Sequence, residues 1–171
     1  MGRLLVTADL HGSLSTWLTV KALMRKGDSL AVAGDLFDTR YGHYGHPDFQ
    51  PDQIRSDLAG LDHPLHYVYG NCDVESYFPG YDSQKTFRAF GKEIFIHHGH
   101  RMVPEDCRAD IIIQGHTHLC HLEKKGETIF MNPGSMTAPR NSLPSYGWID
   151  DTSACIVELK TGKPLASIPF D

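Results

Sequence analysis

Six short segments of the chain carry side chains able to hold a divalent cation. They are Asp9-Leu10-His11, Gly34-Asp35, Gly70-Asn71-Cys72-Asp73, His98-Gly99-His100, Gly115-His116-Thr117-His118 and Asn132-Pro133-Gly134-Ser135. Asp9 and His11, two residues apart, can project to one side of a loop and chelate one ion. Asp35 is placed to bridge two. Asn71 offers a neutral carbonyl oxygen, which suits a site already rich in carboxylate, and His98, His116 and His118 add imidazoles. Taken singly, each has a plain structural explanation: Asp35 as a helix N-cap, Asn71 as a turn residue tolerant of left-handed backbone, the histidines around residue 98 as a solvated loop. Their joint order argues for one site. Two cations roughly 3.5–4 Å apart clamp both the attacking and the leaving oxygen of a phosphoryl group, so the chemistry is hydrolysis of a phosphate ester. A mixed nitrogen and oxygen donor set suits Mn²⁺, Fe, Zn²⁺, Co²⁺ or Ni²⁺ better than Ca²⁺ or Mg²⁺.

The first five segments each follow an apolar, strand-like run. Ligand sites of open α/β sheets lie beyond the carboxyl ends of strands. Leu4–Ala8, Leu30–Ala33 and Leu65–Tyr69 read as buried strands. Between them, a helix begins after Ser13 as N-cap, with Leu14, Trp17, Leu18 and Leu23 at near-helical spacing and Gly27 at the C-cap position. A second spans Pro51–Leu61 with Ile54, Leu58 and Leu61 inward. Residues 38–51 hold three aromatics, two glycines and two prolines, and read as an excursion loop. Thereafter strands dominate: Thr86–Phe90 and Glu93–His97 around Gly91-Lys92, Ile111–Gln114, Cys120–Lys124 and Thr128–Asn132 around residues 125–127, then a meander of Gly147–Ile149, Ala154–Leu159 and Leu165–Pro169. The expectation is one domain over residues 1–171, an α/β architecture opening on a parallel strand–helix–strand pattern.

Composition narrows the function classes. With 171 residues, 40% hydrophobic and 22% charged, the chain has the make-up of an ordinary globular domain. A net charge of −5 argues against a nucleic-acid-coating surface, but not against one small phosphate, because bound metals reverse the local charge. The four cysteines form no metal-finger spacing and read as reduced thiols in the cytosol. No apolar run approaches a membrane span of 18 or so residues. The sequence leaves a homo-oligomer open.

The order D-x-H, G-D, G-N-C-D, H, G-H-x-H resembles the calcineurin-like metallophosphoesterase superfamily. Asn71-Cys72-Asp73, Gly115–Leu119, Asn132–Ser135, Pro139-Arg140 and Pro144–Gly147 resemble its YfcE-type branch of small bacterial and archaeal phosphodiesterases. The resemblance runs from Leu4 to about Pro169. It implies a four-layer α/β/β/α sandwich with mixed sheets and a two-metal site between them. It further implies that Asp9, His11 and His118 hold one ion, Asn71, His98 and His116 the other, and that Asp35 bridges. Cys72 departs from the pattern, since many members place there a histidine that acts on the leaving group. The expected activity is a phosphodiesterase; the alternatives are a phosphomonoesterase or nucleotidase, and the metal-free, protein-binding scaffold of this fold found in the retromer coat.

Outside the metal ligands, Arg140 is a candidate phosphate clamp or a solvated loop arginine. Cys72, His43 and His46 are candidate substrate contacts. His100, His43 and His46 are candidate proton donors if Cys72 is not one. His63, His66 and His121 have no supporting context.

Overall fold

The computed structural model describes residues 2–170. A six-stranded sheet has β1 (Leu4–Thr7), β2 (Ser29–Ala33) and β3 (Leu65–Val68) parallel at one edge. The second sheet has five strands: β4 (Gln84–Ala89), β5 (Lys92–His97), β6 (Ile111–Ile113), β7 (Cys120–Lys125) and β8 (Thr128–Pro133), in the order β4-β5-β6-β8-β7. The chain then returns through β9 (Ser145–Ile149), β10 (Ser153–Glu158) and β11 (Pro164–Pro169) to the first sheet, where β9 pairs antiparallel with β1. Both sheets are therefore mixed.

Side chains on β1, β2 and β3 alternate between two cores. Leu4, Val6, Ala31, Ala33 and Val68 face Ile94, Ile96, Ile111, Ile113, Ile129 and Met131 across the gap between the sheets. Leu5, Leu30, Val32 and Tyr67 face outward under α1 (Leu14–Leu23) and α2 (Pro51–Ala59) through Trp17, Val20, Ile54 and Leu58. Burial on both faces is why these strands are almost purely apolar. On the far side, Phe95, Ala109 and Ile112 are covered by Val103 and Cys107, from a non-helical segment between β5 and β6.

Ser13 caps α1 as expected, its hydroxyl accepting from the Thr16 N–H. The other end differs. The helix stops at Leu23, Met24 turns extended, and Gly27 (φ 87°) belongs to the turn that feeds β2. Leu18 is 50% exposed, because Trp17 and Val20 occupy the inward stripe. Leu61 lies beyond the end of α2 at Ala59 but still packs on the core. The β4–β5 turn is Phe90-Gly91 (φ 53° and 72°), one residue earlier than the sequence suggests, since two consecutive left-handed residues match the twist of a tight hairpin. Residues 38–51 contain neither strand nor helix before α2 begins at Pro51, apart from a single bridge of Phe49 to Ser13. No described helix is long and apolar enough to cross a membrane.

Candidate active site

The ends of β1, β2 and β3 from one sheet and of β5, β6 and β8 from the other open at the same edge of the sandwich, and all seven expected ligands meet there. Backbone conformation brings them in. Asp9, His11, Asp35, Asp38, His116 and His118 have φ between 50° and 70°, six of the eight described non-glycine residues at positive φ. Each such residue costs of order 1–3 kcal/mol and persists where surrounding structure over-determines it. Glycines make room: a Cβ on Gly70 would lie 2.0 Å from Asp35 Oδ1, and one on Gly34 2.5 Å from His98 Nδ1.

Hydrogen-bond partners fix the imidazole protons. The Nδ1 of His11 is 3.0 Å from Asp38 Oδ2, that of His98 is 2.8 Å from the Ala33 carbonyl, and that of His118 is 2.7 Å from the Ala138 carbonyl. Each partner can only accept, so each Nδ1 carries the hydrogen and each Nε2 presents a lone pair. Yet His11 Nε2 faces His118 Nε2 at 3.2 Å, with Asp9 Oδ1 3.4 Å from the latter. Likewise His98 Nε2 lies 3.0 Å from Asn71 Oδ1, 3.2 Å from Asp35 Oδ2 and 3.3 Å from His116 Nδ1. The first nest is a set of acceptors, and in the second only His116 Nδ1, whose hydrogen no other partner places, can donate to its neighbours. An added proton or a cation resolves such a nest, and the donor types suit a transition-metal ion. Asp9, Asp35 and His98 also offer donor atoms within 4.8 Å of one another, so the two nests are joined.

The electrostatics agree. Burial, joined by the charge of Asp35, pushes Asp9 from 3.8 up to about 7. Burial also works against Asp35, but its contacts with His98 and the Cys72 N–H outweigh it and hold that carboxyl at about 2. His11 is held above its ordinary value: burial opposes the charged ring, but Asp38, Asp35 and Asp9 overcome it. His98 is raised in the same way, with Asp35 and Asp9 prevailing over burial. A divalent cation would displace these protons and satisfy the same carboxylates.

Several supporting residues were singled out in the sequence without a role, or missed. Asp73 is buried and accepts from the N–H groups of Leu36, Phe37, Asp38 and Gly70 and from the Tyr67 hydroxyl, which locks the two loops carrying Asp35 and Asn71 together. Asn132 donates to the Gly115 carbonyl, and Ser135 donates to the Asp9 carbonyl while accepting from the Ala138 N–H. Asp38 orients His11. Its place three residues after Asp35 is the one sequence signal that could have found it.

The remaining candidates fall at the rim. The Cys72 thiol shares a group with His11 and Asp38 and receives the Asn71 amide. Burial and the neighbouring carboxylates of Asp35 and Asp38 push it far up, so it stays protonated. The His100 ring is 5.4 Å from that of His98. Arg140 is exposed, its N–H donates to the His118 carbonyl, and its charge helps to hold His116 and His118 low, after burial. His43 and His46 line a cavity with His11 and His118. His63 bonds the Asp28 carbonyl, His66 stacks on Phe87 and His121 pairs with Glu123, all outside the centre.

The calcineurin-like phosphoesterase superfamily domain matches residues 3–155. The chain belongs to that superfamily. It is 28% identical to the phosphodiesterase YfcE of Escherichia coli K12 over 183 aligned positions, covering the whole of both chains. A probable metallophosphoesterase of Mycoplasma pneumoniae is 27% identical over 85% of this chain and 87% of its own. The solved structure of the E. coli phosphoesterase YfcE superposes with a TM-score of 0.82 at 27% identity, over 99% of this chain and 100% of that one. A zinc-complexed Vps29 of Entamoeba histolytica (TM-score 0.65, 22% identity, 99% of both chains) shares the fold. The chain is thus a phosphoesterase-fold hydrolase of a family that works with divalent metal ions.

Proposed function

We infer that this chain hydrolyses small phosphodiesters with two divalent transition-metal ions, drawn from Mn²⁺, Fe, Zn²⁺, Co²⁺ and Ni²⁺. The observation that carries the reading is the pair of joined, acceptor-rich nests. Asp9, His11 and His118 would hold one ion; Asn71, His98 and His116 would hold the other; Asp35 would touch both. Such ions supply an activated water near neutral pH and offset charge on the phosphoryl oxygens.

The chain's own residues do the rest. Asp38 and the Ala33 and Ala138 carbonyls keep the Nε2 lone pairs of His11, His98 and His118 turned inward. Arg140 is free to reach two phosphoryl oxygens with its planar guanidinium. Cys72 holds a thiol proton where the leaving oxygen would depart, and a neutral thiol surrenders it poorly. His100 stands at the rim as the alternative donor. The free thiols suit a reducing compartment, so the cytoplasm is our reading of its location.

Elemental analysis should find two divalent ions per chain. EDTA should abolish hydrolysis of bis(p-nitrophenyl) phosphate and add-back should restore it, with p-nitrophenyl phosphate turned over more slowly. Protein that holds no metal and cleaves no diester under any of the five ions would overturn the reading. Faster turnover of the monoester would make it a phosphomonoesterase.

A further inference from the structure

The acceptor nests open on two unlike clefts. On the His11 and His118 side lies a cavity of about 460 Å³, walled by His43, His46, Phe49 and Ala138. On the Asn71 side lies one of about 210 Å³, walled by Arg40, His100, Arg101 and Ser83, with Glu75 at its edge. The first is within the roughly 300–1,000 Å³ of small-molecule pockets, and the second is below it.

The wall of the larger cavity is fixed, although it belongs to an irregular loop. Asp48 accepts from the Ser13 and Ser15 hydroxyls and the Ser15 N–H, and its carbonyl accepts from the Leu14 N–H. Gln50 N–H donates to the Gly12 carbonyl. The Phe49 ring meets Tyr44 edge-on at 4.9 Å, and the Tyr44 hydroxyl is tied to the Thr39 carbonyl. His43 and His46 are thus presented from an anchored frame. The hydroxyls lining this cavity are already engaged: Ser13 donates to Asp48, and Thr137 to the Leu10 carbonyl. The carboxylates of Asp38 and Asp48 also line it but are taken up by His11 and the Tyr41 N–H, and by Ser13 and Ser15, so a ligand meets mainly ring faces and imidazole edges, which favour a flat group over a polyol. The guanidinium groups of Arg40 and Arg101, the latter donating to the Ser83 hydroxyl, favour a compact polar group in the smaller cleft, and Asp73 and Glu75 oppose a polyanion.

Resting on the phosphodiesterase reading, we propose that the substrate is an asymmetric phosphodiester. Its ring-bearing arm, aryl or nucleobase, lies in the His43–His46–Phe49 cavity, and its compact polar arm lies beside Asn71 and Arg101. His43 and His46 bind by their ring faces.

The test uses the metal-loaded protein. Methyl p-nitrophenyl phosphate should show a KM several-fold below that of bis(p-nitrophenyl) phosphate, whose second ring would have to lie against the arginines and Asn71 of the smaller, polar cleft. Replacing both loop histidines (His43→Ala with His46→Ala) should raise KM for the methyl ester about tenfold, the size of one lost anchor contact, with kcat nearly unchanged. The double Phe replacement at the same positions should restore KM, and Tyr41→Ala, on the same loop but outside the cavity, should change nothing. In the unaltered protein, phenylphosphonate should inhibit with a Ki about tenfold below that of methylphosphonate, as expected for one stacked ring. Equal Ki values, a kcat-only loss, or no rescue by Phe would overturn the proposal while leaving diester hydrolysis intact. Loss of all diester activity under every ion would instead sink the underlying reading.

Discussion

The two sheets contribute unlike halves to the centre. The first delivers carboxylates and a carboxamide, Asp9, Asp35 and Asn71, together with His11. The second delivers imidazoles only, His98, His116 and His118. The carboxylate half is tied together largely from within, since Asp73 gathers four N–H groups from the loops after β2 and β3 and the Cys72 N–H caps Asp35. The imidazole half is oriented from elsewhere. His98 is aimed by a carbonyl of β2, the His116 N–H is held by Asp9, and His118 is aimed by Ala138 in the loop before β9. One half is set by local loop chemistry and the other by docking of one sheet on its neighbour, so damage to each should look different.

The largest expected difference is between Asp35→Ala and His118→Ala. Removing the shared carboxylate should cost both ions and roughly 10³-fold or more in activity, about 4 kcal/mol of transition-state stabilisation. Removing a terminal imidazole should cost one ion. Metal titration of both variants decides it, and loss of a single ion from each would show that Asp35 serves only one.

Asp73→Ala probes the internally tied half. It strands several buried N–H groups, each worth about 1–3 kcal/mol when unsatisfied. A total of about 4 kcal/mol, the low end for four stranded N–H groups, or a fall in Tm of roughly 8–16 °C, is expected for a chain of this size. Unaltered melting would mean that the loops are held by something else.

A smaller effect should appear with pH in metal-free protein. Asp9 has its folded pKa raised from 3.8 to about 7, so the native state holds a proton that the unfolded chain has lost. That stability is complete below about 4 and is lost as pH rises to about 7. Asp9→Asn should flatten this slope in denaturant melts across pH 4–7, and metal affinity should climb over the same range as the proton is expelled. An identical pH profile in the variant would contradict the raised pKa.

The smallest change concerns Cys72, a thiol where an imidazole would place a proton donor in the carboxylate half. Cys72→His should speed alkyl esters by about tenfold, an order of magnitude short of the roughly 10²-fold lower end of optimally positioned acid catalysis, and aryl esters little. Equal gains on both would show that proton donation to the leaving group is not what Cys72 lacks.

The sequence by itself determined the parallel β1–β2–β3 core and the position of each donor residue, because buried strands read as apolar runs and donors follow their ends. It also determined the Ser13 cap and the hairpin around residues 125–127. Which donors face one another was decided only by tertiary structure, since that depends on two sheets packing through Ile94, Ile96, Ile111 and Ile113 against Val6, Ala31 and Val68. The return of β9–β11 to the first sheet beside β1 is a long-range pairing that no local pattern encodes. The imidazole protons likewise depend on carbonyls of Ala33 and Ala138, 65 and 20 residues from the rings they orient. Local propensity sets each element and its end, whereas pairing and tautomer are properties of groups that meet only after the chain has folded.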